Sequence, residues 1–250
     1  AKRVGFNNFN IDLMYGLPHQ STEQAMNDID KAISLSPSHI SHYQLTIEPN
    51  TQFHAKPPTL PNDDQISEMQ TTCQQRLDES GFVHYEVSAF AHDQETCRHN
   101  LNYWRFGDYL GVGAGAHGKL TTLNNEGGNQ GKMVTRFQNW RHPTRYLLAL
   151  ENHDQAIEQQ HVSCADDLIF EYMLNVSRLR DEISAVDFED KTGVDRQRLT
   201  EKIQPAITRR LIHSVTQDHW RLTKLGWQFL NDLQAIFLPK TGSVTHRKTD

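Results

Sequence analysis

Short apolar runs alternate with amphipathic stretches in the first fifty residues. FNIDLM (9–14) is mostly apolar, with Asn10 and Asp12 two positions apart and therefore on one face of a strand, before Gly16 and Pro18 break it. Ser21 followed three residues later by Gln24 is a capping-box pair, and Ala25, Ile29, Ala32 and Ile33 recur at helical spacing until Pro37. HISHYQLTI (39–47) reads as a second strand, closed by Glu48-Pro49-Asn50. Strand, helix, strand in so short a span predicts a βα unit with parallel strands, so the fold class is α/β at this end.

AKPPTLPNDD (55–64) carries three prolines and reads as a linker. Beyond it Ile66, Met69, Cys73 and Leu77 step along one helix face towards Gly81, which suits a C′ glycine. FVHYEVSAF (82–90) has the β-branched and aromatic content of one strand. KLTTL and MVTRF flank NNEGGNQG and predict a hairpin with a long glycine-rich turn, after which Pro143 opens a helix through Leu150. From Ser163 the pattern turns helical. Ser163 and Asp166 are expected to cap a helix bearing Leu168, Tyr172, Val176 and Leu179; a short helix near 184–192 stops at Gly193, and a longer one covers 196–213. WRLT gives a short strand, and Leu225, Phe229, Leu233 and Phe237 line a last helix. This order resembles a winged-helix module. The polar tail KTGSVTHRKTD is expected to be disordered.

Composition narrows the function classes. A chain of 250 residues, 36% hydrophobic and 22% charged, has room for a sizeable core. Its longest apolar runs, such as YLLAL (146–150), are far too short for a membrane span, which leaves only peripheral contact with a membrane open. The net charge of −6 lacks the basic footprint that nucleic acid requires. Cys73, Cys97 and Cys164 are odd in number, match no zinc or cluster spacing, and point to a reducing, cytoplasmic compartment. The fourteen histidines are scattered, without HExxH or paired CxxC. AKRVGFNNFN has no apolar leader, and FNIDLMYGLP follows so soon that the chain is expected to be a fragment beginning inside a fold.

Four features carry candidate chemistry. Asp12 stands near the C-terminal end of its strand, where α/β barrels place functional groups; it could accept ribose hydroxyls or an ammonium, or simply bond nearby backbone. GVGAGAHG (111–118) contains GxG, but KLTTL follows instead of a long helix, so no helix N-terminus is available for a pyrophosphate. Its glycines are better suited to letting backbone approach a ligand or a neighbouring strand, with His117 lining the approach. In HNLNYW, His99 could ligate haem iron, Tyr103 and Trp104 could offer flat faces, and Arg98 or Arg105 could pair with propionates; the alternative is a polar loop whose aromatics plug the core. The region from Arg196 to Arg210 is mildly basic but interrupted by Pro205, which fits a packing module better than a DNA reader.

Together FNIDLMYGLPHQ, YQLTIEPNT, YEVSAFA, HNLNYWRFGDYLGVGAGAHG and LTKLGWQFLNDL resemble the radical S-adenosylmethionine (radical SAM) proteins related to oxygen-independent coproporphyrinogen III oxidase. The resemblance runs from about residue 3 to residue 238, and HNxxYW marks its haem-chaperone branch. It implies the last two βα units of a partial (β/α)6 barrel over 1–57, a mixed α+β region over 58–160, a helical, winged-helix-like C-terminal domain over 161–239, and a tail from 240 to 250. It also implies S-adenosyl-L-methionine and a [4Fe-4S] cluster as cofactors of the full-length family, although the family's CxxxCxxC and GGGTP segments do not occur in this chain. Asp12, in NIDLMYGLP, matches the family's last S-adenosylmethionine contact. Thr46 and His117 fall where the oxidase touches a second S-adenosylmethionine, but with different residue types. His99, Asn100, Tyr103 and Trp104 fill HNxxYW, the motif associated with haem, which makes His99 the implied iron ligand. The function so implied is a haem-binding chaperone that hands haem to acceptor proteins. The alternatives are the oxidase of porphyrin biosynthesis, a coproporphyrinogen dehydrogenase, and, more remotely, a winged-helix DNA-binding protein.

Overall fold

The computed structural model describes residues 1–92, 95–124 and 131–239; the expected tail and most of the glycine-rich turn lie outside the described residues. The chain divides into two compact units, Ala1–Arg98 and His99–Asp250. The segment 58–98 thus falls within the first unit, whereas the resemblance implied a mixed region from 58 to 160.

The first unit begins with β1 (Asn10–Tyr15), α1 (Thr22–Ser34) and β2 (His39–Gln44). β1 and β2 pair in parallel, with Asn10 opposite His39 and Asp12 opposite Ser41. The Ser21 side chain accepts from Gln24 N and the Gln24 side chain answers at Ser21 N, the reciprocal cap that the sequence predicted. A short helix α2 (Gln52–Ala55) and an extended proline segment lead to α3 (Asp63–Glu79). Its Met69, Cys73 and Leu77 are buried with Ile29 and Ile40, and each fully buried aliphatic chain contributes about 1.5–3 kcal/mol. Gly81 follows the helix at φ +82°, a conformation open to glycine.

The single strand expected over 82–90 is two strands. β3 (Val83–Glu86) turns through Val87-Ser88 into β4 (Ala89–Ala91), and the register shifts between His84 and Glu86. The apolar content was read correctly, but a tight turn without glycine or proline leaves no sequence signal. The sheet runs β1-β2-β4-β3, with β1 at its edge among the described residues.

The second unit opens with α4 (Arg98–Trp104), so HNLNYW is a helix and not a loop. β5 (His117–Asn124) and β6 (Gly131–Asn139) form the expected hairpin, and α5 (Pro143–Glu151) follows from Pro143. The third strand of this antiparallel sheet, β7 (Ile157–Val162), was missed because IEQQHV lacks apolar alternation. Next come α6 (Ala165–Val176), β8 (Ile183–Ser184), α7 (Ala185–Thr192), α8 (Arg196–Lys202) and α9 (Gln204–Thr208). Cys164, not Ser163, is the N-cap of α6; Ser163 is buried, and its backbone N–H donates to Val134 O. Pro205 divides the long helix expected over 196–213, and residues 212–214 form β9 (Ile212–Ser214). β10 (His219–Leu222), α10 (Lys224–Gln228) and α11 (Leu230–Ala235) complete the chain, the last helix being two short ones. β10 lies between β8 and β9, and Trp220, Tyr172, Phe188 and Phe237 fill the core beneath.

Candidate functional site

α4 presents two sides. His99 and Tyr103, four residues apart, stand one above the other, their ring centroids 4.8 Å apart in an edge-to-face contact. Tyr103 in turn meets Tyr109 at 4.5 Å. His99 is exposed and its ring nitrogens have no hydrogen-bond partner among the described residues, so its lone pair is available to a metal. Asn100 and Trp104 share the other side and are half-buried. The Arg178 guanidinium lies 4.2 Å from the Trp104 ring centroid, and Trp104 Nε1 is enclosed without a partner among the described residues. Trp104 is thus half-buried against Arg178, while His99 and Tyr103 stand on the other side of the helix. Arg105 is engaged with Asp181 at 3.1 Å, and Lys191 donates to its backbone carbonyl.

The exit from α4 is fixed by backbone chemistry. Asn102 Nδ2 donates to Asp108 O at 2.9 Å, while Gly107 N donates to Asn102 O at 2.7 Å. A Cβ on Gly107 would sit 2.1 Å from the Asn102 side chain. Lys119, almost fully buried, donates to Phe106 O at 3.0 Å and to Asp108 Oδ1 at 2.8 Å, with its ammonium 4.2 Å from the Phe106 ring centroid. Burial lowers the Lys119 pKa, opposed by Asp108. Burial pushes the Asp108 carboxyl up, but hydrogen bonds from Lys119 and Thr121 outweigh it and hold the group below the ordinary carboxylate range.

The glycine run is tied down within its own unit. Asn139 Nδ2 donates to both Gly111 O and Gly113 O, at 3.1 and 3.0 Å, and Gly113 N donates to the Tyr146 hydroxyl. His117 begins β5 with its side chain exposed, beside a cleft of about 140 Å³ lined also by Tyr109, Arg136 and His161. Sequence reasoning missed Arg136 and His161; the alternation of Arg136 with Gln138 was their only signal, and it needed β7 as a partner.

In the first unit Asp12 is exposed and accepts from Asn10 Nδ2 at 2.7 Å. Asn10 Oδ1 meets His39 Nδ1 at 2.7 Å and accepts from Ser41 at 3.1 Å, and His39 Nε2 meets the Tyr85 hydroxyl at 2.8 Å. The His39 pKa is lowered, by burial first, with Asp12 opposing. This polar ladder holds the Asp12 carboxylate at the strand surface. Thr46 is exposed and donates to Glu48 at 3.0 Å. The thiols do not fit an iron–sulfur cluster. Cys73 is buried in the helix–sheet core and its pKa is pushed up to about 11 by burial, Cys97 is half-buried, and Cys164 is exposed at a helix N-cap. No group of three His, Cys, Asp or Glu side chains among the described residues is placed to hold a metal ion.

Comparison with known proteins completes the picture. Residues 165–229 match the HemN C-terminal domain. The haem chaperone HemW of Haemophilus influenzae is 43% identical over 95% of this chain and 59% of its own length; that of Escherichia coli is 40% identical over 95% of this chain and 60% of its own. The chain is similar to HemW over nearly all of its own length. It spans about 60% of the length of these HemW proteins. A solved structure of coproporphyrinogen III oxidase (HemN) from Escherichia coli, described as a radical SAM enzyme, superposes with a TM-score of 0.69 at 19% identity. The overlap covers 94% of this chain and 56% of that one, and it establishes an α/β fold shared with HemN. As in the sequence, no helix among the described residues is long and apolar enough to cross a membrane.

Proposed function

We propose that this chain is the haem-handling portion of a HemW-type haem chaperone, with His99 as the iron ligand and acceptor proteins as the destination of its cargo. The observation that carries the reading is the exposed His99 imidazole, edge-on to Tyr103, on a helix inside the region similar to HemW. A single exposed ligand suits a carrier, because release then requires one bond to break at a surface. Asn100 stands beside His99 on the same helix, and Trp104 anchors that helix from within.

In this reading residues 1–57, with β1, α1 and β2, are the last part of a partial radical-SAM barrel, and residues 161–239, from α6 to α11, form a winged-helix-like C-terminal domain. S-adenosyl-L-methionine would be met in the first unit by Asp12, with Thr46 as a weaker candidate; the Asp12 carboxylate supplies an acceptor for the cofactor's polar groups, and His117, in the second unit, is carried only weakly from the resemblance. The cysteines of this chain do not suit a [4Fe-4S] cluster, and no chemistry is assigned through one.

The test is a haem titration of the chain. His99→Ala is expected to shift or abolish the Soret band and to weaken binding at least tenfold, whereas His153→Ala, at an exposed position in a turn, should leave both unchanged. Unchanged spectrum and affinity in His99→Ala would remove His99 from the site.

A further inference from the structure

We infer that the cleft beside Tyr109 is a carboxylate-binding subsite that takes a propionate of the haem held at His99. The inference rests on the haem reading above and supplies the part that α4 lacks. The sequence offered Arg98 or Arg105 for the propionates; Arg105 is engaged with Asp181 at the surface, and a further cation, Arg136, lines a cleft in the same unit.

Strand register builds this cleft. Gln138 lies opposite His117 on one side and Gln159 on the other, and Arg136 lies opposite Lys119 and His161. Alternate residues of a strand share a face, so these side chains stand on the same side of the sheet. All of them except Lys119 line the cleft, together with Tyr109, and no carboxylate does. Glu171 and Asp108 balance the charges of Arg136 and Lys119 without lining it. Arg136 donates from Nη1 to the Tyr109 hydroxyl at 3.0 Å and from Nε and Nη2 to Glu171, which leaves two of its five N–H donors for a ligand. Those two, with amide and imidazole N–H groups around them, suit a planar, acceptor-only group such as a carboxylate.

The path from iron ligand to cleft is continuous. His99 touches Tyr103, Tyr103 touches Tyr109, and the Tyr109 hydroxyl is bonded to Arg136. Two aromatic contacts, of 4.8 and 4.5 Å, and one hydrogen bond link the proposed metal ligand to the cationic edge. Iron at His99 and a propionate at Arg136 would lay the porphyrin along the tyrosine pair.

The experiment compares haem with haem dimethyl ester, which keeps the iron and ring but removes both negative charges. The unaltered chain should bind haem at least tenfold more tightly than the ester, with the same Soret position for both. In Arg136→Gln, and separately in Gln159→Ala at an exposed position, that preference should fall towards twofold while the Soret position stays unchanged. Circular dichroism identifies an unfolded variant, in which case the Gln159→Ala result decides. Equal affinity for acid and ester in the unaltered chain, or a preference kept in both folded variants, would overturn the subsite while leaving His99 as ligand. Failure of the unaltered chain to bind either porphyrin would overturn both readings.

Discussion

Burial holds the His42 imidazole neutral, with its pKa lowered to about 4, stacked at 4.4 Å on Tyr15, whose own pKa burial raises to about 12. The unfolded chain takes up a proton on this histidine near pH 6.5 and the folded chain does not until about pH 4. Stability should therefore fall as pH drops through that window, by on the order of 3 kcal/mol in total. Urea unfolding at pH 7 and at pH 4.5 measures it, and His42→Gln should show a smaller loss between the two. A second side-chain prediction concerns Gly118, where an added Cβ would lie 2.0 Å from Phe137 Cζ. Gly118→Ala should cost about 1–3 kcal/mol, read as a lower Tm, and Phe137→Leu in the same chain should recover part of it. His99, Asn100, Tyr103 and Trp104 were all visible as a group in the sequence. Their division into an outward pair and an inward pair was not, because it depends on the helical phase of a segment too short and polar to show a period.

Elements were legible where side-chain periodicity met a cap. α1 and α3 have capping boxes and clean apolar faces, and both were anticipated. Strands without alternation were lost or merged, as β7 and the β3–β4 pair show. β1 is instructive in another way, since it pairs only with β2 and leaves one edge open among the described residues. Met14 is 43% exposed on this strand, so Met14→Lys should reduce light scattering on storage without changing the circular dichroism spectrum. Increased scattering would show that the edge is not what drives association. Within α8 the basic residues already have partners: Arg198 reaches Asp166 at 3.1 Å, and Arg196 approaches Asp218 at 3.4 Å. The positive charge of α8 is thus balanced by folding, which leaves Arg209 and Arg210 as the remaining cations of the region read as basic.

At the scale of the whole molecule, two expectations follow from charge and thiol placement. With a net charge of −6 and the cations of α8 paired, the chain should show no salt-dependent micromolar binding to random duplex DNA; such binding, lost on charge reversal at Arg209 and Arg210, would contradict this. Anaerobic reconstitution with iron and sulfide should give no stable [4Fe-4S] absorption, because Cys73 is buried within the helix–sheet core and the other two thiols lie on different elements. The fold class was legible from the parallel βα unit, whereas the boundary between units at residues 98 and 99 was not, since it falls at the first residues of α4 with no glycine, proline or charge run to mark it.

Trp104 gives α4 a built-in optical reporter. Its indole is screened by Arg178 and set five residues, about 7.5 Å of helical rise, from His99. At that separation a bound porphyrin would quench tryptophan emission by energy transfer without touching the ring. Cargo leaving the proposed His99 site would be seen as light regained, with Trp104 the part of the signal that Trp104→Phe removes among the chain's four tryptophans.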